Sequence, residues 1–194
     1  SAINGKWKSV PGELFFNRLL SKFSASKIIA EDLGDIDKDV ISLRDKFNFS
    51  GMHVLQFEND LLNGKKIQFN SNSATYTGTH DNETITAWFD SLDEKNKQNI
   101  FNHLGQTELE HPHWKLIELA MSTNSKTVII PVQDLLGLDN ENRFNTPGTL
   151  SSKNWSWRMK ENQISSAVKG KMKALTGKYN RNSHQEILEL ETRA

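Results

Sequence analysis

IAEDLG at residues 29–34 and YTGTHDN at residues 76–82 each begin where an apolar run stops, and their reading decides the fold. A short apolar run that gives way at once to polar and acidic residues is the pattern of a parallel strand opening into a loop at its carboxyl end. Parallel α/β proteins assemble their active sites at those ends. The pattern places Glu31 and Asp81 on one rim of a sheet, with His80 facing the same space. Two acids so placed suggest glycosidic chemistry, which uses a proton donor and a second carboxylate around one bond.

Working outward, strands alternate with helical patterns. Residues 13–23 carry Leu14, Phe15, Leu19, Leu20 and Phe23 near helical spacing, and 27–30 follow as a first strand. Asp37 can cap a helix running to Phe47, and MHVLQFE at 52–58 is a second strand. Residues 76–79 give a third. Helices are then expected over 84–89, 95–104 and 112–121, with Ser91 and Glu94 spaced as a capping box, before TVIIP at 127–131 as a fourth strand. Strands joined through helices imply parallel βαβ units. Residues 139–154, with Gly, Pro, Ser and Asn, read as an ordered functional loop or a linker, and a helix over 162–176 is expected to end at Gly177. The stretch from Asn180 to the end reads as a loosely packed tail.

Composition narrows the partners. The 194 residues suit one domain, and Lys+Arg 24 against Asp+Glu 24 leaves no electrostatic footprint for nucleic acid or an anionic membrane. A neutral polar ligand is the easier partner. With Cys 0, disulfides and thiolate metal sites are excluded, and no apolar run approaches a membrane span. This pattern fits a cytoplasmic protein. The opening Ser1-Ala2 in place of Met reads as an expression scar before a segment of something longer.

Each motif also has a plainer explanation. Glu31-Asp32 can be a solvated helix start, and Trp155 and Trp157 of NWSWRM can plug a core as well as stack on sugar faces. His111 and His113 point apart at i, i+2, with Glu108 and Glu110 the only acids nearby, so they read as surface histidines and no metal is expected. Phosphate-binding glycine fingerprints are absent, so no cofactor is expected.

Taken in order, GKWKSVPGELFF (5–16), IIAEDLG (28–34), LRDKF (43–47), GMHVLQFE (51–58), YTGTHDNETITAWF (76–89), QDLLGL (133–138), RFNTPGT (143–149) and NWSWRM (154–159) resemble the C-terminal half of the 4-alpha-glucanotransferases, or amylomaltases. The resemblance implies an α/β chain that forms part of a TIM (β/α)8 barrel, its strands being the fifth to eighth, with residues 1–194 a single fragment of the catalytic domain. It implies that Glu31 is the general acid/base, that Asp81 stabilises the transition state and that His80 binds hydroxyls of the reacting glucose. Phe57 and Asn145 resemble acceptor-side or sugar-lining positions. The implied partners are maltooligosaccharides or other alpha-1,4-glucans. The rival readings are a non-catalytic glucan-binding half-barrel module and an alpha-amylase-type hydrolase.

A retaining transfer needs a nucleophilic carboxylate about 5–5.5 Å from the acid/base. In the family that nucleophile belongs to an Arg-x-Asp motif, which occurs nowhere in this sequence. The 194 residues are therefore expected to be inactive alone. They are also expected to self-associate through the barrel edges left at KIIA and TVIIP.

Overall fold

The computed structural model describes residues 5, 8–25, 28–107 and 111–181. The chain divides into two compact units, residues 1–52 and 53–194.

In the first unit, helix α1 spans Gly12–Leu20 and α2 spans Lys38–Lys46. Asp37 caps α2 as its spacing predicts, its carboxylate accepting the Asp39 amide at 2.7 Å. A Cβ added at Gly12 would meet Leu43 at 2.7 Å, so the start of α1 lies directly on α2. Three rings close this unit: Phe16 packs 5.4 Å from Phe47 and 4.9 Å from Phe49. The opposite side of α1 is bare, for Leu14 and Phe15 are 71% and 60% exposed. The strand expected at 27–30 is reduced to one parallel bridge, Ile29 with Ser50, supported by the Ala30 amide donating to the Ser50 carbonyl at 2.7 Å. Lys27 lies outside the described residues.

Strand β1 (Gly51–Val54) runs across the division, and the sheet has the order β1-β2-β3, with β2 Ser73–Tyr76 and β3 Thr127–Ile129. The last two are parallel, Thr75 opposite Val128. Several boundaries differ from expectation: the first helix stops at Leu20 and not at Phe23, and the strand expected over 127–131 stops at Ile129. The second strand ends at Val54, and Leu55–Phe57 turn as a 3₁₀ helix. The third lies three residues earlier than expected, at Ser73–Tyr76 instead of 76–79. Its early half is polar yet buried, because the Ser73 and Thr75 hydroxyls both bond the Ser125 hydroxyl, at 2.8 and 2.7 Å. Satisfied hydroxyls remove the penalty that marks polar residues as non-core.

The core of the second unit lies under four helices: α3 (Asn59–Leu62), α4 (Ile85–Ser91), α5 (Glu94–His103) and α6 (Pro112–Ser122). Leu55, Leu61, Ile85, Ile100 and Leu116 are completely buried, each worth about 2 kcal/mol of transfer free energy. Thr84 caps α4. The expected Ser91–Glu94 capping box is not formed: Asp93 caps α5, accepting the Asn96 amide at 2.7 Å, while the Ser91 hydroxyl donates back to the Trp88 carbonyl inside α4.

The chain continues through a one-turn helix α7 (Val132–Leu135) and a long loop to α8 (Ser166–Lys178). That last helix starts at the Ser165 cap and runs past Gly177, so the expected bounds are corrected at both ends. The chain leaves α8 through Asn180, at φ 50°. Arg181 is tied down: its guanidinium donates to the carbonyls of Met121, Thr123 and Ser125 at 2.7, 2.6 and 3.0 Å. The tail expected to be loose therefore begins with two ordered residues, and 182–194 lie outside the described residues.

Candidate active site

Glu31 belongs to the first unit, and His80, Asp81, Phe57 and Asn145 to the second. Glu31 directly follows the Ile29 bridge and is exposed. Its neighbour Asp32 turns inward, pairing with the Arg44 guanidinium and accepting the Met52 amide at 2.7 Å. Gly51 makes room for this, since a Cβ there would stand 2.6 Å from an Asp32 oxygen. The acidic pair thus has two fates: Asp32 anchors the segment, and Glu31 faces solvent.

In the second unit, residues 77–84 leave β2 as a loop whose two ends are held by one buried side chain. Gln56 donates its amide to the carbonyls of Thr77 (3.3 Å) and Glu83 (2.9 Å). It crosses Gly78 so closely that a Cβ would sit 2.7 Å from its nitrogen. Asn82 folds back, its side-chain oxygen accepting from the Thr79 amide and hydroxyl at 2.8 and 2.7 Å. His80 and Asp81 are left at the tip of the loop, with 3.5 Å between the His80 Nε2 and an Asp81 oxygen.

The loop after α7 closes on that tip. Asn145 donates its side-chain amide to Asp81 Oδ1 at 2.7 Å and its backbone amide to the His80 carbonyl at 3.1 Å. Arg143 donates to the Asp81 carbonyl at 2.9 Å and to the Asn145 carbonyl at 2.8 Å. Residues 139–154 are therefore an ordered part of the site, and three of the residues read from the sequence, His80, Asp81 and Asn145, meet here. Phe57 stands exposed one residue beyond Gln56, on the turn that leaves β1. A cavity of about 170 Å³ opens beside the tip, lined among others by His80, Glu83, Arg143 and Phe144.

Asp134, at the foot of this cavity, was not assigned a role by the sequence reading. It is buried, accepts the Thr77 hydroxyl at 2.5 Å and the Ile85 amide at 2.8 Å, and burial pushes its carboxyl up from 3.8 to about 6 despite those two donors. It ties the end of β2 to the start of α4, the two points between which the His80–Asp81 loop hangs. Arg143 was equally missed; both stand inside quoted motifs, and a charged residue inside an apolar QDLLGL run was the available signal. His113 corrects the surface reading of the histidine pair. It is half-buried, a Cβ at Gly137 would stand 2.7 Å from its ring, and burial together with His111 and Lys171 lowers it to about 4. Glu108 and Glu110 lie outside the described residues.

A parallel sheet with an ordered loop of His, Asp and Asn beyond a strand end defines an α/β protein with a polar site at the carboxyl end of its sheet. The model of the family described as 4-alpha-glucanotransferase matches residues 1–164, and the chain belongs to that family. It is 41% identical over 186 residues to the 4-alpha-glucanotransferase of Synechocystis sp., which covers 93% of this chain and 37% of that protein. To the chloroplastic/amyloplastic 4-alpha-glucanotransferase of Solanum tuberosum it is 43% identical over 164 residues, covering 81% of this chain and 28% of that one. Among solved structures it is similar to the amylomaltase from Streptococcus agalactiae in complex with acarbose, with a TM-score of 0.83 at 31% identity over 92% of this chain and 37% of that one. The amylomaltase from Corynebacterium glutamicum, at TM-score 0.56 and 15% identity over 77% of this chain and 28% of that one, shares the fold. The chain spans about a third of the length of these relatives.

Proposed function

We propose that these residues form part of a retaining 4-alpha-glucanotransferase that moves alpha-1,4-glucan segments between maltooligosaccharides, and that they correspond to strands five to eight of its (β/α)8 barrel. The observation that carries the reading is the bond from Asn145 to Asp81 Oδ1, with His80 beside it, in a chain of this family. One carboxylate oxygen is engaged in place, so the other is free to accept a sugar hydroxyl in a fixed direction. Such a contact counts for catalysis when it strengthens as positive charge develops at the anomeric carbon. The acarbose bound by the S. agalactiae amylomaltase supports an oligosaccharide ligand.

In this reaction a carboxylate attacks the anomeric carbon, the glycosidic bond breaks, and Glu31 gives its proton to the departing oxygen. An acceptor hydroxyl then attacks the same carbon, Glu31 takes the proton back, and the carboxylate is released. His80 holds hydroxyls of the reacting glucose, while Asn145 and Phe57 line the path of the sugars. The attacking carboxylate is assigned to a part of the protein outside these 194 residues, since no Arg-x-Asp occurs within them. No cofactor enters the scheme. A cytoplasmic location is part of this reading, whereas the S. tuberosum relative is chloroplastic/amyloplastic by name.

The test is maltotriose given to the full-length protein: glucose together with longer maltooligosaccharides is the expected product set. Glucose and maltose without longer products would make it a hydrolase. The 194 residues alone should yield neither. Because α1 exposes Leu14 and Phe15 and β3 exposes Ile129, these residues alone should also self-associate; light scattering that reads one monomer mass at every concentration would refute that.

A further inference from the structure

The two tryptophans of NWSWRM part ways. Trp157 is half-buried, its indole N–H donating to the Asn142 side chain at 3.1 Å. Trp155 is 53% exposed and stands outside the core. Its ring lies 5.1 Å from the His80 ring, at a 40° tilt, and meets the Phe144 ring edge-on at 5.2 Å.

The backbone holds it there at a cost. Trp155 adopts φ 63°, a conformation that glycine takes freely and a bulky side chain rarely does. Several bonds fix the conformation. The Trp155 amide donates to the Phe144 carbonyl at 2.8 Å, and the Arg158 guanidinium donates to the carbonyls of Trp155 and Trp157. Asn154 receives the Thr146 amide and donates to Thr149, so the same turn also fixes the loop that carries Asn145. A strained, over-determined backbone that presents a large apolar ring to solvent beside a polar site is an outlier that calls for a ligand.

We propose that Trp155 is a stacking platform for a glucosyl ring bound beside His80, with Phe144 bracing the indole from its edge. The inference rests on the function proposed above. The C–H face of a pyranose is apolar and slightly positive, which matches the negative face of an indole, while its equatorial hydroxyls point outward to hydrogen-bonding groups such as His80 and Asp81. The rigid ring is already positioned, so binding loses little side-chain freedom.

The experiment measures maltotriose binding by calorimetry, and disproportionation kinetics, on the full-length protein and three variants. Trp155→Gly removes the ring and suits the φ of the site; Trp155→Leu keeps bulk without an aromatic face; Trp155→Phe keeps a face. Gly and Leu are expected to weaken maltotriose binding and raise KM by about tenfold, with Phe within about threefold of the parent. If Trp155→Gly fails to fold, as read by its melting curve, the Leu and Phe pair decides. Leu binding as tightly as the parent, or Phe binding as weakly as Leu, overturns the proposal. A parent that binds maltotriose but transfers nothing, with binding still lost in Leu, removes the proposed function and leaves the platform standing.

Discussion

The two acidic motifs are built on the same plan and finished differently. Each segment folds over a glycine that a polar side chain crosses: Asp32 over Gly51 in the first unit, Gln56 over Gly78 in the second. Around Asp81 the chain then adds a second loop, so that Asn145 and Arg143 hold the carboxylate and its backbone. Around Glu31 the anchoring is given to its neighbour, and the glutamate is left exposed. The difference suits the proposed roles. A group that only accepts hydroxyls gains from being fixed, whereas one that gives and retakes a proton must reach two partners in turn.

The comparison breaks most readily at the acids themselves. If the proposed transfer is right, Glu31→Gln in the full-length protein lowers kcat for maltotriose by on the order of 10³-fold, and Asp81→Asn by a similar factor, measured as glucose release. Should Glu31→Gln leave kcat intact, the roles drawn here for the two segments are wrong.

Next comes the clip. Asn145→Ala frees Asp81 Oδ1 and should lower kcat/KM by on the order of 10²-fold with little change in melting temperature. Arg143→Ala should follow in the same direction. Among the described residues no such clip holds Glu31, whose neighbour Asp32 is the anchor; Asp32→Asn should instead act through stability, lowering the melting temperature as the Arg44 pair is lost.

Asp134 and His113 give a third test, through pH. The Asp134 carboxyl is raised in the fold from 3.8 to about 6, so its folded form holds a proton that the unfolded chain gives up. Stability from this group is full below 3.8 and is lost as pH rises through about 6, by ~3 kcal/mol in total. His113 works the other way: lowered from 6.5 to about 4, it contributes stability above 6.5 that is lost as pH falls through about 4, a smaller effect at its half-exposed position. The two oppose each other across the same window. Chemical denaturation at several pH values between 4 and 6.5 should therefore show a shallow profile for the parent. Asp134→Asn should turn it into a rise with pH, and His113→Gln into a steeper fall.

The smallest effect belongs to the glycines. Gly78→Ala must push the Gln56 amide aside and Gly51→Ala must push Asp32, each at about 1–3 kcal/mol by equilibrium unfolding. Equal costs would support the shared plan; a silent Gly51→Ala would mean that the Asp32 carboxylate shifts freely.

Much of the architecture is readable from residues alone. Asp37 announces α2, and helix-spaced apolar residues announce α5 and α6. Strand limits are less readable, since Ser73 and Thr75 sit inside the sheet through a hydroxyl cluster completed by Ser125, some fifty residues away. Periodicity marks apolar burial and is blind to polar burial that a distant partner satisfies. The same holds at the site. HDN and NTPGT are visible as polar clusters at loop positions, but that Asn145 should land on Asp81, or that Asp134 should bridge Thr77 and Ile85, depends on folding between segments far apart in sequence. The ends of two apolar runs point to Glu31 and Asp81 and the family resemblance gives them their expected roles; neither composition nor spacing points to Arg143.

Arg181 carries a consequence for how this chain meets a protease. Trypsin must draw a basic side chain fully into its specificity pocket, and this guanidinium is already shared among three carbonyls at the end of α6. The bond after Arg181 can be cut only while that end is uncapped. Its cleavage rate therefore reports how often the Arg181 guanidinium leaves those three carbonyls in the native protein, a local clock that runs without unfolding the rest.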